Sequence, residues 1–108
     1  MTGTASQIQW AEQIRPRVDA EFERVANAFH SVAMRQKDGQ REDTLTVIAI
    51  LEEKRASVMA NSHAGYFIRD WQELTDQVRQ MIATDARYRA IQAGRAERRH
   101  TFIERSGI

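Results

Sequence analysis

Apolar residues recur at Trp10, Ile14, Val18, Phe22, Val25, Phe29 and Val32, in steps of four and three that place them on one stripe of an α-helix. Ala11, Ala26 and Ala33 widen that stripe, and Glu12, Asp19, Glu23 and Asn27 fall on the other side. Ahead of it, Thr4 and Gln7 form a T-x-x-Q capping box, in which each side chain satisfies a backbone donor at a helix start. The segment from 5 to 36 therefore reads as one long amphipathic helix, about 45 Å at ~1.5 Å per residue. Pro16 interrupts it: proline cannot donate to the carbonyl of Glu12, and its ring crowds that carbonyl. The stripe passes Pro16 without a phase slip, which predicts a kinked continuous helix. A short helix over 5–14 followed by a second one starting at Pro16 is the alternative.

Residues 36–42 carry no apolar side chain and include Asp38-Gly39, which marks a loop. A second helix is expected from a cap at Asp43 or Thr44 to about Asn61, with Leu45, Ile48, Leu51, Val58 and Met59 on its main face. Val47 and Ile50 add apolar surface beyond that face, the pattern of a helix buried among neighbours. Asn61-Ser62 ends it and caps a third helix bearing Phe67, Trp71, Leu74, Val78, Met81 and Ile82. Thr84-Asp85 either breaks that helix or is carried through to Ile91. Gly94 is the expected stop, and a last helical piece spans about Arg95–Arg105. No alternating strand pattern occurs. The expected fold is all-α: a three-helix bundle with a long kinked first helix and a short Arg-rich C-terminal helix. It forms one domain over 1–108, with 1–3 and 106–108 fraying.

Composition narrows the function. The 108 residues contain no cysteine, which removes disulfides, thiolate catalysis and cysteine-ligated zinc. The longest dense apolar run, Val47–Leu51, is far short of the roughly 20 residues a membrane span needs. The N-terminus lacks the basic start and apolar run of a secretory signal. A soluble, cytoplasmic protein without a membrane partner is expected. The net charge of +1 conceals an uneven distribution: residues 1–86 carry −3 and residues 87–108 carry +4. The basic segment holds Arg87, Arg89, Arg95, Arg98, Arg99 and Arg105, interleaved with Tyr88, His100 and Phe102. Arginines spaced along a helix can track phosphates, and aromatics can stack on bases. The plainer reading is a solvated helix, or one that docks on the acidic first helix of its own fold.

The opening Thr4-Ala5-Ser6-Gln7-Ile8-Gln9-Trp10-Ala11-Glu12-Gln13-Ile14-Arg15 resembles a T-x-x-Q-x-x-W-A-x-x-I-R pattern found in small helical bacterial and phage or plasmid domains of unassigned function. Such domains often carry a second segment, an alanine followed by two aromatics, isoleucine and an acid. Ala64-Gly65-Tyr66-Phe67-Ile68 is similar to it, although Arg69 stands where the acid would fall. The resemblance implies an α-helical fold and brings no catalytic residue with it.

Few residues suggest chemistry. His30, His63 and His100 lie in separate predicted elements and form no helix-face metal pair, and the serines lack a nucleophile-elbow context. No catalytic residue, metal or cofactor is expected. Tryptophan is enriched at interfaces, and Trp10 and Trp71 are the candidates for one. The expected function is non-enzymatic: an adaptor acting on an unidentified protein partner through helix surfaces and the arginine-rich segment. The alternative is an accessory protein that contacts nucleic-acid phosphates through residues 87–105. The overhang of the first helix near Ile8 and Trp10 further suggests a homodimer.

Overall fold

The computed structural model describes residues 1–105, with side chains described as far as Glu97. It is all-α, with helices α1 (Ala5–Arg35), α2 (Asp38–Met59), α3 (Ala64–Asp70), α4 (Leu74–Ala83) and α5 (Ala86–Arg105) and no strand among the described residues. None of these helices is long and apolar enough to cross a membrane. The molecule is a rod of 65 × 23 × 18 Å.

α1 is the spine, contacting α2, α3 and α4. Thr4 and Gln7 form the capping box in both directions, and the helix runs through Pro16 unbroken. Its buried line is Ala11, Val18, Phe22, Ala26 and Ala33. Small residues let the α2 backbone approach closely, and the bulkier Ile14, Val25 and Phe29 are displaced to half-buried flanks. α1 and α2 form an antiparallel hairpin. Arg15 donates to the Met59 carbonyl at one end, Arg55 grips the Asp19 carboxylate in the middle, and Arg41 donates to the Ala33 carbonyl at the other.

The hairpin turn is tighter than the seven-residue loop expected. α2 starts at Asp38, whose φ of 53° lies in the left-handed region, so the chain reverses within Gln36 and Lys37. Asparagine and aspartate tolerate this conformation better than most residues. Residues 1–3, expected to fray, are tied down. The Thr2 N–H donates to the Ser62 carbonyl at 2.6 Å, and the Ala64 N–H donates to the Thr2 carbonyl at 2.9 Å. Residues 106–108 lie outside the described residues.

The expected third helix is two helices. Trp71 leaves helical geometry at φ −117°, ψ 37°, and α4 begins three residues later. The break lets α3 lie on α1 while α4 reaches both α1 and α2. Its side chain goes into the core, with the ring 5.7 Å from that of Phe22 and tilted by 57°. One hydrophobic cluster joins Val18, Phe22, Val47, Ile50, Leu51, Val58, Phe67, Trp71, Val78 and Ile82.

The last helix is not short. It starts at Ala86 and passes through Gly94, which has open space around it and no helix-ending role. Asp85 starts it: its carboxylate accepts the Arg87 N–H at 2.8 Å, supplying a partner to a donor left free at a helix start. The same carboxylate, nearly buried, also takes Lys54 and the Arg87 guanidinium at 3.0 Å each. Arg87 in turn reaches Glu53 at 2.7 Å. These donors hold the Asp85 carboxyl far below its ordinary value, through the hydrogen bonds from Arg87 and Lys54. Bonds from Arg55, Arg24 and Arg87 likewise lower Asp19, Glu21 and Glu53.

Carboxyls depressed in the folded state add stability that is complete above their unfolded values and is lost as pH falls through the folded ones. The ordinary values here are 3.8 for aspartate and 4.5 for glutamate. Stability in urea should therefore hold level from pH 7 to about 5 and fall steadily below about 4.5. Asp85→Asn should make that acid limb shallower. An unchanged limb would show that the Asp85 cluster does not hold the fold together.

Candidate interaction site

The two tryptophans are brought together. Trp10 of α1 and Trp71, at the end of α3, line one recess of about 270 Å³ with Ile14, Arg17, Ile68, Gln72 and Leu74. The residues of the opening motif have separable physical roles here. Thr4 and Gln7 fix the helix start, and Ala11 is fully buried. Trp10 and Ile14, four apart and so neighbours on the helix surface, form one wall. Trp10 remains 57% exposed. The second segment supplies the facing wall: Ala64 and Phe67 are fully buried, Tyr66 packs edge-on against Phe67, and Ile68 reaches the recess. The two stretches singled out in the sequence thus meet across α1 and α3.

Trp71, on the inward stripe expected of it, is 2% exposed and forms the inner wall of the recess. Its indole N–H has no hydrogen-bond partner among the described residues. A buried unpaired donor costs roughly 1–3 kcal/mol. Arg17 stands at the rim, exposed and without an ion pair among the described residues. The recess therefore combines an accessible aromatic, an apolar floor and one cation.

The arginine-rich segment divides in two. Arg87 is engaged by Asp85 and Glu53. Arg95 is drawn onto the start of α2, 3.1 Å from the Thr44 hydroxyl and 3.7 Å from the Asp43 carboxylate. Arg89 donates to the Ala83 carbonyl at 3.1 Å. Arg87 and Arg95 are thus held by Asp85 and α2 of their own fold. The side chains of Arg98, Arg99 and Arg105 lie outside the described residues. The signal that was missed is Asp85 itself: an aspartate just ahead of a helical stretch is a cap residue, and this one gathers the cations on both sides of it.

A second groove, about 350 Å³, lies among α1, α4 and the start of α5, lined by Val25, Phe29, Val32, Val78, Ile82 and Tyr88. Arg24, Thr75 and Arg79 supply its polar lining. Comparisons of the chain with protein-family models, with curated proteins and with solved structures find no match.

Proposed function

We propose that this chain is a non-enzymatic binding module that takes a protein partner in the recess between α1 and α3, with Trp10 as its anchor. The observation that carries the reading is an exposed tryptophan standing over a preformed apolar recess whose inner wall is a second tryptophan. Tryptophan is enriched among the few residues that carry most of the binding energy of protein interfaces. The matching partner segment presents an apolar side chain to Ile14, Ile68 and Leu74 and a carboxylate or carbonyl to Arg17. A kink at Pro16 belongs to the same reading, because it sets the angle at which the Trp10 turn meets α3.

Selection from a displayed random-peptide library tests this. Enriched peptides should share an apolar residue near an acidic one. Trp10→Ala should weaken their binding at least tenfold with unchanged circular dichroism, as expected for a central aromatic anchor. Binding that survives Trp10→Ala would overturn the reading. Sedimentation at high micromolar concentration distinguishes a second copy of the chain as occupant: a homodimer that Trp10→Ala dissociates would replace the heterologous partner.

A further inference from the structure

α3 has 7 residues, well short of the roughly 12–15 that hold as a helix in isolation, so its place depends on what it is fastened to. Phe67 and Trp71, both buried, fasten its middle and its end. Its start has no side-chain cap at His63. A donor left free there, the Ala64 N–H, is taken instead by the Thr2 carbonyl at 2.9 Å. The Thr2 N–H donates to the Ser62 carbonyl, and the Thr2 hydroxyl and His63 Nδ1 are hydrogen-bonded at 2.6 Å. Two positions on, Thr4 caps α1. Gly3 joins the two at φ 139°, where residues with a side chain are strained, and a Cβ there would stand 3.1 Å from the Ala64 Cβ. Residues 2–4 are therefore a strap that ties the start of α1 to the start of α3.

Both helices run from the strap to the Trp10 recess. Ala64, held by the strap, and Ile68, on the recess wall, are four apart and so neighbours on one helix face. Trp10 stands six positions after the Thr4 cap, about 9 Å along α1. We infer that the strap is a latch: by fixing where α3 starts against α1, it sets the spacing of Ile68 from Trp10 and Ile14, and so the shape in which the recess takes its partner. The latch rests on the binding reading above for its effect on a partner, but not for its effect on α3. Its bonds lie at the exposed Thr2, Ser62 and His63, and such bonds open locally at lower cost than a core unfolds. Each opening withdraws the recess, so apparent affinity falls with the latched fraction. The coupling is reciprocal, and a partner seated in the recess holds the latch shut.

Gly3→Ala strains the strap without removing a hydrogen-bonding group. Thr2→Pro removes the Thr2 N–H and hydroxyl and leaves the Thr4–Gln7 capping box in place. Ser6→Ala, on the exposed first turn of α1, is the control. In NMR of the full chain, Ala64 N–H exchange should be at least about tenfold faster in both strap variants, with Val47 and Leu51 of α2 unchanged. The Trp10 indole and Ile68 methyl resonances should move, although Gly3 abuts Ala64 and Gln7 instead. Peptides selected on the unaltered chain should bind both variants at least about fivefold more weakly, and should slow Ala64 exchange when bound to the unaltered chain. Ser6→Ala should change none of these. Unchanged Ala64 exchange in both variants overturns the latch, as does faster exchange with the Trp10 and Ile68 resonances fixed. Moved resonances with unaltered peptide affinity overturn its effect on a partner and leave Trp10 as anchor. A failed peptide selection overturns the Trp10 reading instead, and exchange and resonance positions then decide the latch by themselves.

Discussion

Phe22→Ala should cost about 3–5 kcal/mol of folding stability, measured by urea unfolding followed by circular dichroism. Phe22 is 1% exposed and lies on the buried line of α1. Its ring packs against Trp71, 49 positions later in the chain, so it is the side chain through which the α1–α2 hairpin receives the junction of α3 and α4. Alanine removes both the transfer energy of the ring and the contacts of Trp71. Trp71 is fixed at the α3–α4 junction and can close the void only in part. Against a total stability of roughly 5–15 kcal/mol, such a loss is a large share. Phe22→Leu, which keeps most of the volume, should cost less than about 1.5 kcal/mol. Trp71 emission should shift to the red in the alanine variant and barely move in the leucine one. A loss below about 1 kcal/mol for Phe22→Ala would mean that the ring does not hold this junction.

Helix content and the α1 stripe were legible because period and capping are local properties. Thr4, Gln7 and the run from Trp10 to Val32 announce α1 without reference to anything else. The centre of the buried face was not legible. The stripe points to Trp10 and Val32, yet Trp10 and Val32 are 57% and 45% exposed, while Ala11 and Ala33 are buried. Which flank of an amphipathic helix faces inward depends on how closely its partner approaches, and alanines permit the closest approach. Leu45 shows the same effect on α2: it lies on the expected main face and is 45% exposed, with Val47 and Ile50 buried instead.

The break at Trp71 carries no sequence signal. No glycine or proline lies between Arg69 and Glu73, and the helical spacing of Phe67, Trp71, Leu74 and Val78 is unbroken. The helix yields there because the indole is drawn against Phe22, a tertiary demand that local preference does not contain. Gly94 is the converse case, a stop signal overridden by a helix that continues. The charge asymmetry was legible as composition, but its meaning was not. Whether Arg87 and Arg95 are available to a partner depends on Asp85, two positions away in the chain, and on Glu53 and Asp43, which are close to them only after folding. For the candidate site, both tryptophans and both motif segments could be named from the chain. That they share one recess follows only from how α3 lies on α1.

Pro16→Ala should raise stability by about 2 kcal/mol, an effect opposite in sign to that at Phe22. Proline in a helix interior is ~3 kcal/mol less favourable than alanine, because it lacks the N–H and crowds the carbonyl four residues earlier. Pro16 is exposed inside a helix that continues for eleven residues before it and nineteen after, so its replacement uncovers no core. The alanine N–H would be free to donate to the Glu12 carbonyl. Part of the gain is offset because proline also restricts the unfolded chain, by about 0.4–1 kcal/mol. For a chain of this size the net gain corresponds to a Tm increase of roughly 10 °C, readable by thermal denaturation. The proline sits between the Trp10–Ile14 turn, which builds the recess, and the Val18–Phe22 turn, which anchors the core. If the kink proposed at Pro16 shapes the recess, Pro16→Ala should be more stable and yet bind the selected peptides more weakly. A variant that gains no stability would show that the interrupted bond at Glu12 is matched by the packing of α3 against α1.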